Sequence, residues 1–143
     1  MPKARKLFAT ADDTEAAFYD ALARADIAAL MALWAEDEEI VCVHPGAGRV
    51  IGPAAIRASW EAIFERGPVH IRPLHLHNTQ NTMMAVHNLI EDIVRTSDNT
   101  HELYVIATNV YLKTPQGWRM VAHHASIATG KPPQEKMRST TLH

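Results

Sequence analysis

The amino-acid sequence predicts an α+β domain in which three helices precede and cover a curved antiparallel β-sheet. Two observations indicate this order. Apolar residues recur at helical spacing as far as Phe64, and from Val69 onward the apolar periodicity drops to two. A run of helices followed by a run of strands is typical of domains whose helices lie on one face of an antiparallel sheet.

Two helices are predicted near the start of the chain. Thr10, Asp12 and Asp13 can each cap the first helix, and Asp12 and Glu15 have the spacing of a capping box. Asp26 can cap the second helix, whose sequence is IAALMALWAED. The apolar stripes of the two helices consist of Phe18, Leu22, Ala25, Ile27, Leu30, Met31 and Trp34.

A strand and a third helix are predicted next. The segment EEIVCVHPG contains an apolar run that ends at His44, which indicates a strand, and AGRVIG is interpreted as a loop. Pro53 suits the first turn of a helix, and Gly67 with Pro68 ends that helix. Its apolar stripe consists of Ile56, Trp60, Ile63 and Phe64.

The second half of the chain predicts four strands, with the sequences VHIRPLHLHNTQ, MMAVHNLIEDIVRT, HELYVIATNVYLKT and GWRMVAHHASIAT. Pro73 interrupts the first of them, which predicts a bulge or an edge position. Glu91 and Asp92 are adjacent in a strand and point to opposite faces, so one of them can enter the interior. We expect one domain over residues 11–128, a flexible N-terminus at residues 1–10 and a mobile tail at residues 129–143.

The composition argues against several classes of partner and location. The 143 residues include 14 Lys plus Arg and 16 Asp plus Glu, without a basic stripe that would contact phosphates, so no nucleic acid is expected. No apolar segment reaches the roughly 20 residues that span a membrane. No apolar run follows the basic start MPKARK, as a secretory signal would require. A single cysteine, Cys42, predicts a buried inert thiol in a cytoplasmic protein.

The last two predicted strands form a hairpin, ATNVYLKTPQGWRMVAHHAS, whose register follows from its turn. With Pro115 and Gln116 at the centre of the turn, Asn109 faces Ala122, and directly opposed residues share a face of the sheet. One face then carries Asn109, Tyr111, Trp118, Met120, His124 and Ser126. The other carries Thr108, Val110, Leu112, Arg119, Val121 and His123.

The face with Asn109 and His124 mixes large apolar side chains with a few polar ones, which is the composition of a ligand pocket. In a packed core, both polar side chains would instead need hydrogen-bond partners, because an unpaired buried polar group costs about 1–3 kcal/mol. A pocket role and a structural role therefore both remain open for His124. His123 is expected at the surface or in a dimer contact.

The nine histidines raise the question of a metal site. His75 and His77 share one face of a strand, but two imidazoles do not form a site unless a third ligand such as His44 or His124 converges on them. The sequence therefore predicts no metal and no cofactor.

Three segments together resemble the NTF2-like superfamily, and within it the SnoaL-like and ketosteroid-isomerase-like group. They are LARADIAALMALWAEDEEIVCVHPG, IGPAAIRASWEAIF and ATNVYLKTPQGWRMVAHHAS, in the order found in the family. The resemblance implies a cone-shaped fold, with a strongly bent sheet and three helices around an apolar cavity, and a homodimer through the outer face of the sheet. Members include isomerases, cyclases, dehydratases, a hydrolase, transport factors and kinase association domains, so the fold alone selects no activity.

The resemblance also implies candidate catalytic positions. The general-base aspartate of the isomerases falls in CVHPGAG, where His44 is nearby. Their oxyanion-binding tyrosine aligns with Phe18, which is followed by Tyr19, and their second oxyanion donor aligns with Asn109. A modified site would use His44 or His124 as the proton acceptor and Asn109 as the stabilising donor.

Three functions are compatible with these patterns. The first is a homodimer whose cavity binds a small, largely apolar organic molecule against walls formed by Tyr19, Trp34, Trp60, Tyr111 and Met120. The second is an isomerase, cyclase or hydrolase that transfers protons at His44 or His124. The third is a homo-oligomeric association module without a ligand.

Overall fold

The computed structural model describes residues 7–93 and 103–130, and within them three helices pack on a six-stranded sheet. Most of the expected N-terminus at residues 1–10 and of the expected tail at residues 129–143 lies outside the described residues, which include only residues 7–10 of the first and 129–130 of the second. The elements are α1 (Ala11–Arg24), α2 (Ile27–Leu33), β1 (Val41–Val43), β2 (Arg49–Ile51), α3 (Pro53–Phe64), β3 (Ile71–Gln80), β4 (Met84–Ile93), β5 (Leu103–Thr114) and β6 (Gly117–Thr129).

Side-chain caps and a proline determine where the helices begin. The Thr10 hydroxyl accepts a hydrogen bond from the Asp13 amide at 3.0 Å, which begins α1. Asp26 accepts from the Ala29 amide at 3.0 Å and begins α2. Pro53 occupies the first turn of α3. In the described part of the chain no helix is both long and apolar enough to cross a membrane.

The strand order in the sheet is β2-β1-β6-β5-β4-β3. All neighbouring pairs are antiparallel except β1 and β6, which are parallel. The segment interpreted as a loop, AGRVIG, contains β2, so that prediction is wrong. Residues 49–51 pair with β1 across a tight turn in which Gly46 has φ 76°, a conformation that glycine adopts without strain.

Pro73 lies in β3, which is an edge strand, and the register of β3 shifts between Leu74 and His77. His75 has φ 52° at this shift, so the strand bulges there. Both predictions for the proline, an edge position and a bulge, are therefore confirmed. The edge position also leaves the missing amide hydrogen of Pro73 without consequence for the sheet.

The β5–β6 hairpin departs from the predicted register partway along. Tyr111 pairs with Met120, as predicted, but Val110 pairs with Ala122, so Val121 is an extra residue on β6. A bulge of one residue moves every later side chain to the opposite face. Asn109 consequently pairs with His123, which is 2% exposed, whereas His124 is exposed. The predicted faces of His123 and His124 are wrong and must be exchanged.

The three helices cover one face of the sheet, which we call the inner face. Its core side chains include Phe18 and Leu22 of α1, Trp60 of α3, and Leu89 and Met120 of the sheet. The opposite face, the outer face, carries half-buried and exposed apolar residues where β4, β5 and β6 adjoin: Met84, Val86, Val110, Leu112 and Ala122. One face of the sheet is thus a core and the other is largely uncovered in the single chain.

Candidate functional site

The inner face contains a group of buried polar side chains joined by hydrogen bonds. We call this group the interior cluster; it consists of Glu15, Tyr19, His87, Glu91, Asn109, Tyr111 and His123. Glu15 and Tyr19 are four residues apart on α1, so they lie on the same side of that helix. His87 and Glu91 are likewise four apart on β4 and share its inner face. Helix and strand periodicity together therefore bring the cluster to one place.

Glu15 is the most heavily hydrogen-bonded member of the cluster. One oxygen, Oε2, accepts from His87 Nδ1 at 2.8 Å, from the Tyr111 hydroxyl at 2.8 Å and from Asn109 Nδ2 at 3.4 Å. The other ring nitrogen of His87 lies 3.8 Å from the exposed carboxylate of Asp12. Hydrogen bonds from several donors stabilise a buried carboxylate, because they offset the free-energy cost of removing its charge from water.

Asn109 links the two halves of the cluster. Its Nδ2 donates to the Tyr19 hydroxyl at 3.0 Å, and its Oδ1 accepts from His123 Nδ1 at 2.6 Å. A carboxamide oxygen can only accept, so the proton of His123 is on Nδ1 and the lone pair is on Nε2. Burial chiefly, together with the nearby His44 and His124, lowers the pKa of His123 to about 3, so the ring is neutral.

Glu91 is the second buried carboxyl group, and the Tyr19 hydroxyl donates to its Oε2 at 2.7 Å. Burial raises the pKa of Glu91 to about 7; the bond from Tyr19 opposes the rise and the charge of Glu15 adds to it. Burial and the Glu91 charge raise the pKa of Tyr19 far above its ordinary value, so Tyr19 stays a donor. Asp92, on the opposite face of the strand, pairs with Arg72 at 2.8 Å. Glu91 thus can exchange a proton near neutral pH.

A histidine and aromatic rings continue the site from His123 toward α3. The Trp60 ring lies 6.1 Å from the His123 ring and 4.6 Å from the His44 ring. Ser59 gives its single proton to the Ile56 carbonyl at 2.7 Å, so His44 Nε2 donates to Ser59 Oγ at 2.9 Å and Nδ1 of His44 carries a lone pair. His44 is half-buried, and burial lowers its pKa.

Cys42 lies on β1 directly beside His123 of β6. Its side chain is fully buried, and burial raises the pKa of the thiol to about 12. The thiol is therefore protonated and unreactive at neutral pH, which agrees with the prediction of an inert buried cysteine.

The structure brings together some of the predicted site residues and separates others. Asn109, Tyr19 and Tyr111 are members of the interior cluster, and Trp60 and His44 adjoin it through ring contacts. His124 points away from this group, because the bulge at Val121 places it on the outer face. Its predicted position in a pocket on the inner face is therefore wrong.

Trp34 and Met120 occupy a different part of the inner face. They form a bridge between strand-like segments, and both are fully packed in the core. Trp34 also lines a surface cleft of about 430 Å³ together with Met31, Glu38 and Arg57. A second cleft of about 600 Å³ lies between Leu7 and Phe8, α1 and α2. Neither cleft is lined by a member of the interior cluster.

Sequence reasoning missed Glu15, His87 and His123, and it left Glu91 and Asp92 undecided. Helical spacing could have predicted the inward position of Glu15, since Glu15 precedes Phe18 and Tyr19 by one turn. Strand alternation could have predicted the inward position of His87. No signal in the sequence marks the bulge that turns His123 inward. Among residues 7–93 and 103–130, no three His, Cys, Asp or Glu side chains are arranged to hold a metal ion.

Comparison with known proteins gives the family. The profile of the SnoaL-like domain matches residues 12–130. No curated protein is significantly similar in sequence. A solved structure from Thiobacillus denitrificans, provisionally described as a calcium/calmodulin-dependent protein kinase type II association domain, is 31% identical with a TM-score of 0.80 over 87% of this chain and 99% of that one.

Two further solved structures show the range of descriptions within this fold. One from Streptomyces avermitilis, provisionally described as a dehydratase of the NTF2-like family, is 28% identical with a TM-score of 0.72, over 82% of this chain and 92% of that one. One from Parabacteroides distasonis, provisionally described as a ketosteroid isomerase, is 20% identical with a TM-score of 0.65, over 82% and 86%. The matched length and the shared architecture agree, and the chain belongs to the SnoaL-like domain family of the NTF2-like superfamily.

Proposed function

We propose that this protein binds a small organic molecule against the interior cluster, in contact with Glu91, and exchanges a proton with it. The observation that carries the proposal is the state of Glu91. It is a buried carboxyl group with one hydrogen-bond donor, and its pKa of about 7 lets it give or take a proton at neutral pH. Buried groups tuned in this way cluster at functional sites.

The surroundings of Glu91 support a binding role. Aromatic rings of Phe18, Trp60 and Phe64 continue from the polar cluster, with neighbouring centroids 5.9 Å apart. Apolar walls with a few oriented polar groups are the usual composition of small-molecule sites. His44, half-buried at the margin of this aromatic group, remains a candidate proton acceptor because its Nδ1 carries a lone pair.

The enzymatic form of the proposal is proton transfer on the bound molecule, with Glu91 as acid or base and Tyr19 as its partner. His124 does not take part, because it lies on the outer face. Asn109 is placed to orient the site rather than to bind a substrate oxygen, since its amide hydrogens bond to Tyr19 and Glu15.

The test is to measure proton exchange on binding. Fragments that raise the melting temperature of the wild-type protein are titrated by calorimetry at pH 7, in two buffers with different heats of ionisation. We expect a fractional proton uptake or release in the wild type that disappears in Glu91→Gln. Glu61→Gln, at an exposed position on α3, is the matched control and should keep the wild-type proton count. Binding with the same proton count in Glu91→Gln contradicts the proposal, as does a library in which nothing binds.

We further propose a homodimer through the outer face of the sheet. Leu112 is 37% exposed and Met84 is 39% exposed, and they adjoin the half-buried Val86 and Val110 on the same face. A contiguous apolar surface of this kind is typical of a contact between proteins. The solved relative described as an association domain, 31% identical to this chain, favours self-association as well.

Sedimentation tests this second proposal. The wild type should sediment at about twice the 15.9 kDa mass of the chain, and Leu112→Glu should sediment as a monomer. Lys113→Glu is the control, because it adds the same acidic group one residue away on the opposite face of β5. A monomeric wild type contradicts the dimer, and a larger closed ring would favour the association module instead.

A further inference from the structure

The hydrogen-bond donors of the interior cluster are occupied by acceptors inside the cluster. Tyr19 donates to Glu91, and Tyr111 donates to Glu15. The two amide hydrogens of Asn109 are directed to the Tyr19 hydroxyl and to Glu15. Beside the cluster, the buried Nε1–H of Trp60 has no hydrogen-bond partner among the described residues, so the site offers this hydrogen and few others to an acceptor atom of a ligand, such as a carbonyl or carboxylate oxygen.

Acceptor atoms, in contrast, remain available. His123 uses its Nδ1 hydrogen on Asn109, and within residues 7–93 and 103–130 no hydrogen bond is formed by its Nε2. His44 likewise has a lone pair on Nδ1, because Nε2 donates to Ser59. Both imidazoles are neutral at pH 7, since burial lowers the pKa of each. Glu91 receives a single hydrogen bond, although a carboxylate can accept about four.

The two carboxyl groups of the cluster differ in their basic neighbours. Glu15 has His87 as a hydrogen-bond partner, whereas Glu91 is bonded by Tyr19 alone, and within the described residues no hydrogen bond of the cluster comes from lysine or arginine. Among the described residues the only buried lysine or arginine is Arg119, whose guanidinium lies over the Phe8 ring at 5.6 Å. An anionic ligand at the cluster would thus face like charges, whereas a cationic ligand would face opposite ones.

Aromatic rings adjoin the acceptor atoms. Phe18 contacts Tyr19 at 4.9 Å and His123 at 5.0 Å between ring centroids, and Trp60 contacts Phe18 and Phe64 at 5.9 Å each. Aromatic faces attract organic cations through their quadrupoles, and the attraction grows when water is excluded. Rings beside a carboxyl group suit an amine with an apolar body.

We propose that the molecule bound at the interior cluster carries an amine, held as the ammonium by Glu91 and by the free acceptor nitrogens, with its apolar part against Phe18, Trp60 and Phe64. This inference rests on the proposed function and adds the chemical class of the ligand. The ammonium donates hydrogen bonds where the site has acceptors, and it supplies a positive charge beside Glu91, whose hydrogen-bond partner is the neutral Tyr19. The proton exchanged at Glu91 then accompanies the formation of this ion pair.

Three probes of one shape test the inference: benzylamine, benzyl alcohol and benzoate. Their affinities are measured at pH 8 by protein-observed NMR on the full chain. We expect benzylamine to bind at least about tenfold more tightly than benzoate, with benzyl alcohol between them, since a hydrogen bond between charged groups is stronger than one between neutral groups. In Glu91→Gln we expect benzylamine affinity to fall about tenfold and benzyl alcohol affinity to stay within about twofold.

The Glu91→Gln side chain keeps an acceptor for Tyr19, so the variant should fold, and Glu61→Gln serves as the control for surface charge. The preference of the wild type for benzylamine over benzoate tests the inference without any variant. Equal or tighter binding of benzoate overturns it, as does benzylamine affinity that is unchanged in Glu91→Gln, or no binding of any of the three. In each case the proposed function survives if another fragment binds with a proton count that depends on Glu91.

Discussion

The two buried carboxyl groups of the interior cluster have very different surroundings. Glu15, on α1, receives bonds from a histidine, a tyrosine and an asparagine. Glu91, on β4, receives one bond, from Tyr19. The two are 5% and 4% exposed, so burial alone does not distinguish them. The number of donors does, and it divides the cluster into a part that holds the fold and a part that is available for chemistry.

The physical basis of this division is the solvation of charge. Donors around Glu15 replace the water that its carboxylate loses on burial, so the group contributes to the structure. Glu91 lacks such compensation, and its pKa is raised to about 7 chiefly by burial. A proton, or a hydrogen-bond donor of a ligand, can stabilise the Glu91 carboxylate where the protein provides no further donor. The contrast predicts that Glu15→Ala lowers the free energy of unfolding, whereas Glu91→Gln raises it relative to the wild type as the pH increases.

The largest effect is expected for Glu15→Ala. The substitution leaves His87, Tyr111 and one amide hydrogen of Asn109 without their acceptor in the interior. Removing one partner from a buried, hydrogen-bonded set costs about 3–5 kcal/mol. Urea unfolding at pH 7 should show a free energy of unfolding lower by this amount. Glu61→Ala, on the exposed side of α3, should change it by less than about 0.5 kcal/mol. A loss as small as that of the control would show that Glu15 is not structural.

The second effect concerns Glu91→Gln and depends on pH. The Glu91 carboxyl has a pKa of about 7 in the folded chain against 4.5 in the unfolded chain, so the folded state holds the proton to higher pH. The stability linked to this proton is fully present below pH 4.5 and is lost as the pH rises through about 7. The difference in pKa corresponds to about 3 kcal/mol.

A comparison of the wild type with Glu91→Gln isolates the stability that is linked to protonation of the Glu91 carboxyl group. From pH 4.5 to pH 8, the free energy of unfolding of Glu91→Gln should rise by about 3 kcal/mol relative to the wild type. The neutral His123 has a pKa lowered to about 3, so both proteins lose stability as the pH falls below 6.5, and this contribution cancels in the difference. A difference that stays constant with pH would mean that Glu91 titrates as an ordinary carboxyl group.

The smallest effect is expected for Asp12→Asn. Asp12 lies 3.8 Å from His87 Nε2, but its side chain is 79% exposed, so water screens the interaction. Urea unfolding should show a loss below about 0.5 kcal/mol, whereas His87→Phe, which removes the bond to Glu15, should show a larger one. Equal losses of stability for the two variants would identify Asp12, and not Glu15, as the main partner of His87.

Much of the fold could be predicted from local sequence signals. Thr10 and Asp26 cap their helices, Pro53 begins the third, and the turn at Pro115 and Gln116 sets the first pairs of the last hairpin. Each of these signals acts within a few residues. The short strand β2 was missed because three residues, RVI, offer too little periodicity to distinguish a strand from a loop.

The candidate site could be predicted only in part, for a physical reason. Asn109 and Tyr111 lie on β5, which has no extra residue at the bulge, so their shared inner position follows from alternation alone. The faces of the residues beyond Val121 depend on the bulge, which no residue type at this point of the sequence marks. The donors around Glu15 and Glu91 come from three different elements, α1, β4 and β5, so the number of bonds that each receives cannot be read from spacing along one of them.

The tandem histidines have a consequence for how this site can change over evolutionary time. Bulges migrate when a single residue is inserted or deleted in a strand, and such an event inverts the side chains that follow it. Because His123 and His124 are neighbours, either alignment of β6 turns an imidazole inward. In either register one of the two imidazoles therefore lies beside Asn109 on the inner face, and the other lies on the outer face.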